Sequence, residues 1–328
     1  MTRPEIFITR EIPQAGLQII NRHFKVEMWP EYAPPPKNIL LERLAGVEAM
    51  VTLLSDKIDA EVMQAAPRLK IIAQLAVGYD NIDIKEATRR GICVTNTPDV
   101  LTDASADFAF ALLMAVARRV VEADRYVREG SWQVAWHPSM LPGRDISGAT
   151  LGIIGAGRIG QAVAMRGRGF NMPILYCSGS PKPEFEKKCG AEYTDLETLL
   201  RKSDFVSLHV PLTDKTRQLL NTERLALMKP TAYLINNSRG PVVDENALYE
   251  ALKTGRLAGA ALDVFAVEPT PATNPLLELN NVVVAPHISS ASLATREKMA
   301  EMVAENLKAF FAGQKPPHLL NPEAFKNK

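Results

Sequence analysis

Neither sign of charge prevails in this 328-residue chain, in which 38 lysines and arginines face 37 aspartates and glutamates. Proteins that hold nucleic acid or an anionic membrane surface carry a basic excess, so the composition offers no footprint for either partner. Cysteine is scarce as well. Cys93, Cys177 and Cys189 are an odd number, far apart, without a CxxC or a Cys/His cluster. That excludes a disulfide frame and a zinc site and fits the reducing conditions of cytoplasm. No apolar run approaches the roughly 18 residues that cross a bilayer. The opening Met1-Thr-Arg-Pro-Glu5 lacks the charged region and apolar core of a secretory leader. The sequence thus predicts a cytoplasmic protein that binds no metal, and any charged ligand must be met by a local site.

Single cores seldom grow past about 250 residues, so this length predicts two domains. In the first hundred residues, apolar strand candidates at 6–9, 25–29, 49–54, 70–76 and 92–96 alternate with helical spacing at 14–23, 39–45, 60–66 and 84–90. Such alternation predicts parallel strands joined by crossover helices. The pattern over 101–128 reads as one long helix, with Asp99 or Thr102 as caps and Gly130 just past its end. An aperiodic patch follows at 131–147, containing Trp132, Trp136 and His137. A structureless stretch of that length is often a functional loop or a packing arm, so a domain boundary or subunit interface is expected there. A second alternating series has strand candidates at 151–155, 174–177, 205–210, 232–236, 260–264 and 282–286. The last helix, 292–311, could cap that second sheet or return to the first domain, and its sequence does not choose.

The chemistry begins at Gly155-Ala-Gly157-Arg-Ile-Gly160, a G-x-G-x-x-G pattern between an apolar strand candidate and a helix candidate at 159–169. Its first glycine permits a tight turn, the second lets backbone approach a pyrophosphate, and the third lets helix and strand pack closely. The anion would lie at a helix N-terminus, where free N–H groups favour negative charge. The end of the next strand ordinarily reads the ribose through an acid when the cofactor is NAD. Here that strand ends in Tyr176-Cys177 and is followed by Ser178-Gly-Ser180-Pro-Lys182, with no acid. Hydroxyls and a lysine suit a 2′-phosphate, so NADP(H) is the expected cofactor, with NAD(H) as the alternative. Polar residues also gather at later predicted strand ends. Asn237-Ser238-Arg239 follows 232–236, Asp263 closes 260–264 with Glu268 beyond it, and His287 follows Pro286. In an open α/β sheet such ends face the ligand crevice.

Taken in order, Gly155-Ala-Gly-Arg-Ile-Gly160, Asn237-Ser-Arg-Gly-Pro-Val-Val-Asp244, Ala261-Leu-Asp-Val-Phe-Ala-Val-Glu-Pro269 and Ala285-Pro-His-Ile-Ser-Ser-Ala291 resemble the D-isomer-specific 2-hydroxyacid dehydrogenase family over nearly the whole chain. Val77-Gly-Tyr-Asp-Asn-Ile-Asp83 and Phe170-Asn-Met-Pro-Ile-Leu175 make the resemblance nearest to its glyoxylate/hydroxypyruvate reductases, including those that reduce 2-ketogluconate. The resemblance implies an α/β fold of two doubly wound parallel-sheet domains. A Rossmann nucleotide domain, about 100–286, would be inserted into a discontinuous flavodoxin-like substrate domain made of 1–99 and 287–328. It also implies a homodimer whose arm is the long helix and the loop after it, with Trp136 reaching the neighbouring subunit's cleft.

The implied reaction moves a hydride from nicotinamide to the carbonyl carbon of a small 2-keto acid, glyoxylate or hydroxypyruvate, while the oxygen takes a proton. His287 would supply that proton, since imidazole titrates near the working pH. Glu268 would hold the ring and favour its charged form. Arg239 would clamp the substrate carboxylate with its planar fork, and the backbone N–H groups of Val77 and Gly78 would take the other side. Asp263 would orient the nicotinamide carboxamide. The same resemblance brings Ser105, Arg158, Ile159, His209, Pro211, Thr216, Asn237, Ser238 and Ser289 to the cofactor, beside Gly155, Gly157, Gly160, Ser178, Ser180 and Lys182. Two departures stand out. Ser289 replaces the glycine that commonly follows His-Ile, and Gly179 stands where NADP-preferring relatives often carry arginine. Alternative readings are a 2-ketogluconate reductase, an NAD-linked D-2-hydroxyacid or phosphite dehydrogenase, and a nicotinamide-sensing corepressor.

Overall fold

The computed structural model describes residues 3–326. The chain up to Leu101 and from Ala291 onward forms one compact unit, and Thr102–Ser290, inserted between those segments, forms a second.

The first unit runs β1 (Glu5–Ile8), α1 (Gln14–His23), β2 (Lys25–Met28), α2 (Lys37–Arg43), β3 (Ala49–Thr52), α3 (Ala60–Gln64), β4 (Ile71–Gln74), α4 (Ile84–Arg89) and β5 (Cys93–Thr95). Its strands pair in parallel in the order β2-β1-β3-β4-β5. β3, β4 and β5 are buried at every position, which is why they read as unbroken apolar runs, whereas edge strand β2 stays partly exposed. Asp59 and Asp83 start α3 and α4 by accepting N–H bonds from the first turn. The late helix α12 (Leu293–Phe311), capped by Ser292, packs on α1 and β4 of this unit, and α13 (Pro322–Lys326) packs on α4 and β5. α13 was not anticipated because five residues show no period.

The second unit begins with α5 (Thr102–Ala117) and α6 (Val120–Arg128), where the sequence pattern suggested one helix. The correction has a local cause. Arg119 turns to φ +53°, and the Ala117 carbonyl, which would continue the helical ladder, accepts the Arg144 N–H at 2.8 Å. No glycine or proline marks this break, and the contact that makes it is distant in sequence. The chain then runs β6 (Leu151–Ile154), α7 (Arg158–Gly169), β7 (Ile174–Cys177), α8 (Pro183–Cys189), β8 (Glu192–Tyr193), α9 (Leu196–Lys202), β9 (Phe205–Leu208), α10 (Thr222–Leu225), β10 (Tyr233–Asn236), α11 (Glu245–Lys253), β11 (Gly259–Leu262) and β12 (Val282–Val284). The sheet is parallel throughout, in the order β12-β11-β10-β9-β6-β7-β8. The exposed two-residue β8 was too short to read from sequence. Both units are thus doubly wound α/β sheets. In the second, strand order reverses between β6 and β9, so the crevice for a ligand opens at their C-terminal ends. No helix among the described residues is long and apolar enough to cross a membrane, and no cluster of His, Cys, Asp or Glu among them could hold a metal.

Candidate active site

The glycine turn joins β6 to α7 at that reversal. Gly155 takes φ +98°, and a Cβ there would meet the His209 carbonyl at 2.6 Å. A Cβ on Gly160 would stand 2.1 Å from the Gly155 oxygen, so this position is closed by the protein itself. Gly157, the N-cap of α7, is exposed, and its Cβ would meet nothing within 4 Å. The fold itself therefore does not require a glycine there, and the open backbone at this helix start could admit an approaching diphosphate. Arg158 and Ile159 open the helix beside it.

Further polar groups of the second unit flank this turn or close the neighbouring loops. Asn237 is buried and donates to the Ser105 carbonyl at 3.0 Å, while its Oδ1 has no hydrogen-bond partner among the described residues. A buried acceptor left open in this way fits a ligand that brings a donor. His209 pairs Nε2 with Ser207 Oγ at 2.8 Å, and burial pushes its pKa down to about 3, so it is neutral in the working range. Thr216 Oγ donates to the Pro211 carbonyl at 2.6 Å and closes the loop after β9. Beyond β7, the Lys182 N–H donates to the Tyr176 hydroxyl at 2.6 Å, and that hydroxyl donates to Glu186. Ser178 and Ser180 lie in the loop so closed, partly or fully exposed, and 178–182 contains no carboxylate.

Arg239, Glu268 and His287 come from the loops after β10, β11 and β12. The turn carrying Arg239 is tied by Asn236, whose Oδ1 accepts from the Ser238 N–H and hydroxyl at 3.1 and 2.9 Å and whose Nδ2 donates to the Arg239 carbonyl at 3.0 Å. Gly240 lets this turn lie against the next loop, since a Cβ there would sit 1.9 Å from the Phe265 carbonyl carbon. Glu268 is fixed at both ends. Its Oε1 accepts the Phe265 N–H at 2.9 Å, and its Oε2 lies 2.7 Å from His287 Nδ1. Burial would raise its pKa, but the hydrogen bond and charge of His287, the Phe265 N–H and the charge of Arg239 together hold it below the ordinary glutamate value. It is therefore a carboxylate at neutral pH, and with Nδ1 facing it, Nε2 is the histidine nitrogen left for a ligand.

His287 has φ +56°, a left-handed conformation that residues other than glycine rarely adopt. Asp263, fully buried at the end of β11, holds it there. The Asp263 carbonyl accepts the His287 N–H at 2.8 Å, and its two carboxylate oxygens accept the Ile288 and Ser289 N–H groups at 2.7 and 2.9 Å. Burial pushes the Asp263 pKa up against those bonds. The structure thus directs the Asp263 carboxylate at the histidine turn, and Ser289 takes part through its backbone.

Val77 and Gly78 belong to the first unit, in the turn after β4, where Asn96 Nδ2 donates to the Val77 carbonyl at 2.9 Å and Gln74 Nε2 to the Gly78 carbonyl at 3.2 Å. The side chains of Asn236, Gln74 and Asn96 escaped the sequence reading. Asn236 followed by Ser238 carries a detectable signal, an Asx-type turn at a strand end. Gln74 and Asn96 carry none, because a buried amide inside an apolar run looks like an interruption of the strand.

Residues 110–289 match the family described as D-isomer specific 2-hydroxyacid dehydrogenase, NAD binding domain. A glyoxylate reductase of Korarchaeum cryptofilum is 61% identical over 324 residues, covering 99% of this chain and 98% of that protein. A Thermus thermophilus crystal structure is 48% identical with a TM-score of 0.91, covering 96% of this chain and 99% of that one. The NADPH-dependent glyoxylate/hydroxypyruvate reductase of Sinorhizobium meliloti, solved with NADP and malonate, is 34% identical with a TM-score of 0.86, over 99% and 98% of the two chains.

Proposed function

Because this chain belongs to the D-isomer-specific 2-hydroxyacid dehydrogenase family, an NAD(P)-dependent enzyme, we propose that it reduces glyoxylate and hydroxypyruvate to the corresponding 2-hydroxy acids with NADPH as the preferred reductant. Reduction of a 2-keto acid is supported by glyoxylate reductases 55–61% identical to it. The observation that carries the reading is the 2.7 Å contact of His287 Nδ1 with Glu268, in the neighbourhood of the Arg239 charge.

Gly155, Gly157, Gly160 and the start of α7 hold the diphosphate, Asn237 and the loops containing Ser105, His209, Pro211, Thr216 and Ser238 take the nicotinamide side, and Ser178, Ser180 and Lys182 receive the 2′-phosphate. When bound, the cofactor supplies a hydride to the carbonyl carbon. Arg239 pairs with the substrate carboxylate and draws charge toward the carbonyl oxygen. His287 delivers the Nε2 proton to that oxygen, and Glu268 stabilises the charged ring before transfer and fixes its plane. Asp263 keeps the backbone under His287 in place. The N–H groups of Val77 and Gly78 are assigned to the substrate carboxylate. The second-copy surface is assigned to α6 and the loop after it, where Val120, Val127, Trp132 and Trp136 are more than half exposed. A monomer seldom leaves such a set uncovered, so a homodimer is expected.

The test is a panel of glyoxylate, hydroxypyruvate, 2-ketogluconate and pyruvate against NADPH and NADH, followed by loss of the reduced nicotinamide absorbance. Fastest turnover with NADPH and with glyoxylate and hydroxypyruvate is expected. Failure of every 2-keto acid with both cofactors overturns the reading, and preference for a longer acid or for NADH corrects its finer part.

A further inference from the structure

We propose that Asn96 and Gln74 are positioning residues for the substrate carboxylate, because they aim a row of three backbone N–H groups in the turn after β4. This rests on the assignment of Val77 and Gly78 to the carboxylate. Three successive carbonyls are each held by the first unit: Ala76 by the Thr97 N–H at 2.9 Å, Val77 by Asn96 Nδ2 at 2.9 Å and Gly78 by Gln74 Nε2 at 3.2 Å. In a trans peptide the N–H points opposite to the carbonyl of the same unit. Fixing these oxygens therefore turns the N–H groups of Val77, Gly78 and Tyr79 away from the groups that hold them. Those N–H groups donate to no acceptor among the described residues, at positions that range from half-buried to exposed. Consecutive free N–H groups of this kind form a concave anion site.

The amides that set the aim are themselves buried and hydrogen-bonded. Gln74 is fully buried; its Oε1 accepts from Thr52 Oγ at 2.6 Å, and its Nε2 also donates to Asn81 Oδ1 at 2.8 Å. Asn81 in turn donates to the Leu53 and Asp56 carbonyls at 3.1 and 2.8 Å. Asn96, 6% exposed, is anchored through its backbone to the end of the chain: its N–H donates to the His318 carbonyl and its carbonyl accepts from Asn306, both at 3.3 Å. The turn thus adds a third donor, Tyr79, to the two already assigned, and makes two buried amides responsible for how well a carboxylate is received.

The experiment compares wild type with Asn96→Leu and Gln74→Met, which remove the amide donors at nearly constant volume. Asn321→Leu, at a buried amide of the same unit that bonds Val94, Thr88 and Ile92, serves as a control for lost stability. Oxalate is the probe of carboxylate binding, measured by calorimetry on the NADPH-loaded protein. Glycolaldehyde, which has the carbonyl without the carboxylate, is the control substrate. For Asn96→Leu and Gln74→Met, the oxalate Kd and the glyoxylate KM should rise about tenfold or more, the loss expected when a charged group's hydrogen bonds are misdirected. kcat with glyoxylate, KM for NADPH and kcat/KM with glycolaldehyde should stay within about threefold. Asn321→Leu should lower Tm and leave oxalate binding alone. Oxalate Kd unchanged in both variants, an equal rise in Asn321→Leu, an equal loss with glycolaldehyde, or no oxalate binding by wild type overturns the proposal. If wild type reduces no 2-keto acid yet binds oxalate with this variant pattern, the assignment of the turn stands and the proposed activity falls.

Discussion

Glu268 and His287 face each other at 2.7 Å, Oε2 to Nδ1, from loops that follow adjacent parallel strands, and the carboxylate is held below its ordinary pKa. A depressed carboxylate pKa contributes stability that is present above the unfolded-state value and is lost as pH falls through the folded one. Glu268→Gln should therefore melt below wild type at neutral pH, with the gap closing as the solution is acidified through the glutamate range. A melting gap that stays constant with pH would contradict the pairing.

His287→Ala should reduce kcat by at least about 100-fold while NADPH binding persists, since proton delivery is lost and the glycine turn is untouched. Single-turnover kinetics with glyoxylate and a separate NADPH titration read the two properties. A near-normal kcat would remove His287 from the reaction.

The second and third glycines of the nucleotide turn should respond in opposite ways. Gly157→Ala places a methyl where the protein offers no obstacle, so Tm should change little while NADPH affinity falls about tenfold or more. Gly160→Ala drives a methyl into the Gly155 carbonyl, and the fold should lose stability before any ligand is considered. Equal effects on Tm would show that the open face of Gly157 has been misread.

Ser178→Asp puts a carboxylate at the end of β7, where it repels a 2′-phosphate and accepts from a ribose hydroxyl. The ratio of kcat/KM with NADPH to that with NADH should fall by about tenfold or more. A ratio unmoved by Ser178→Asp and by Lys182→Ala would locate cofactor choice elsewhere.

Sequence reading found the sheet strands well because central parallel strands are buried on both faces, so apolar runs such as 205–208 or 151–154 mark them directly. It ran too far at strand ends: 49–54 was expected where β3 stops at Thr52, since Leu53 turns to meet the Asp56 carboxylate. It joined α5 to α6 because the group that breaks them, the Arg144 N–H, lies far along the chain. At the site, charged residues at strand ends could be named from motif and order. The amides behind them could not. Asn96, Gln74 and Asn236 act by holding carbonyls and turns, a role that depends on which backbone oxygen points at them and leaves no periodic trace.

The left-handed backbone of His287 sets local strain against pairing. A side chain in that conformation costs about 1 kcal/mol relative to glycine, which adopts it freely. His287→Gly relaxes the turn but strips Glu268 of its partner and loosens the unfolded chain, so one position carries opposing contributions to heat resistance.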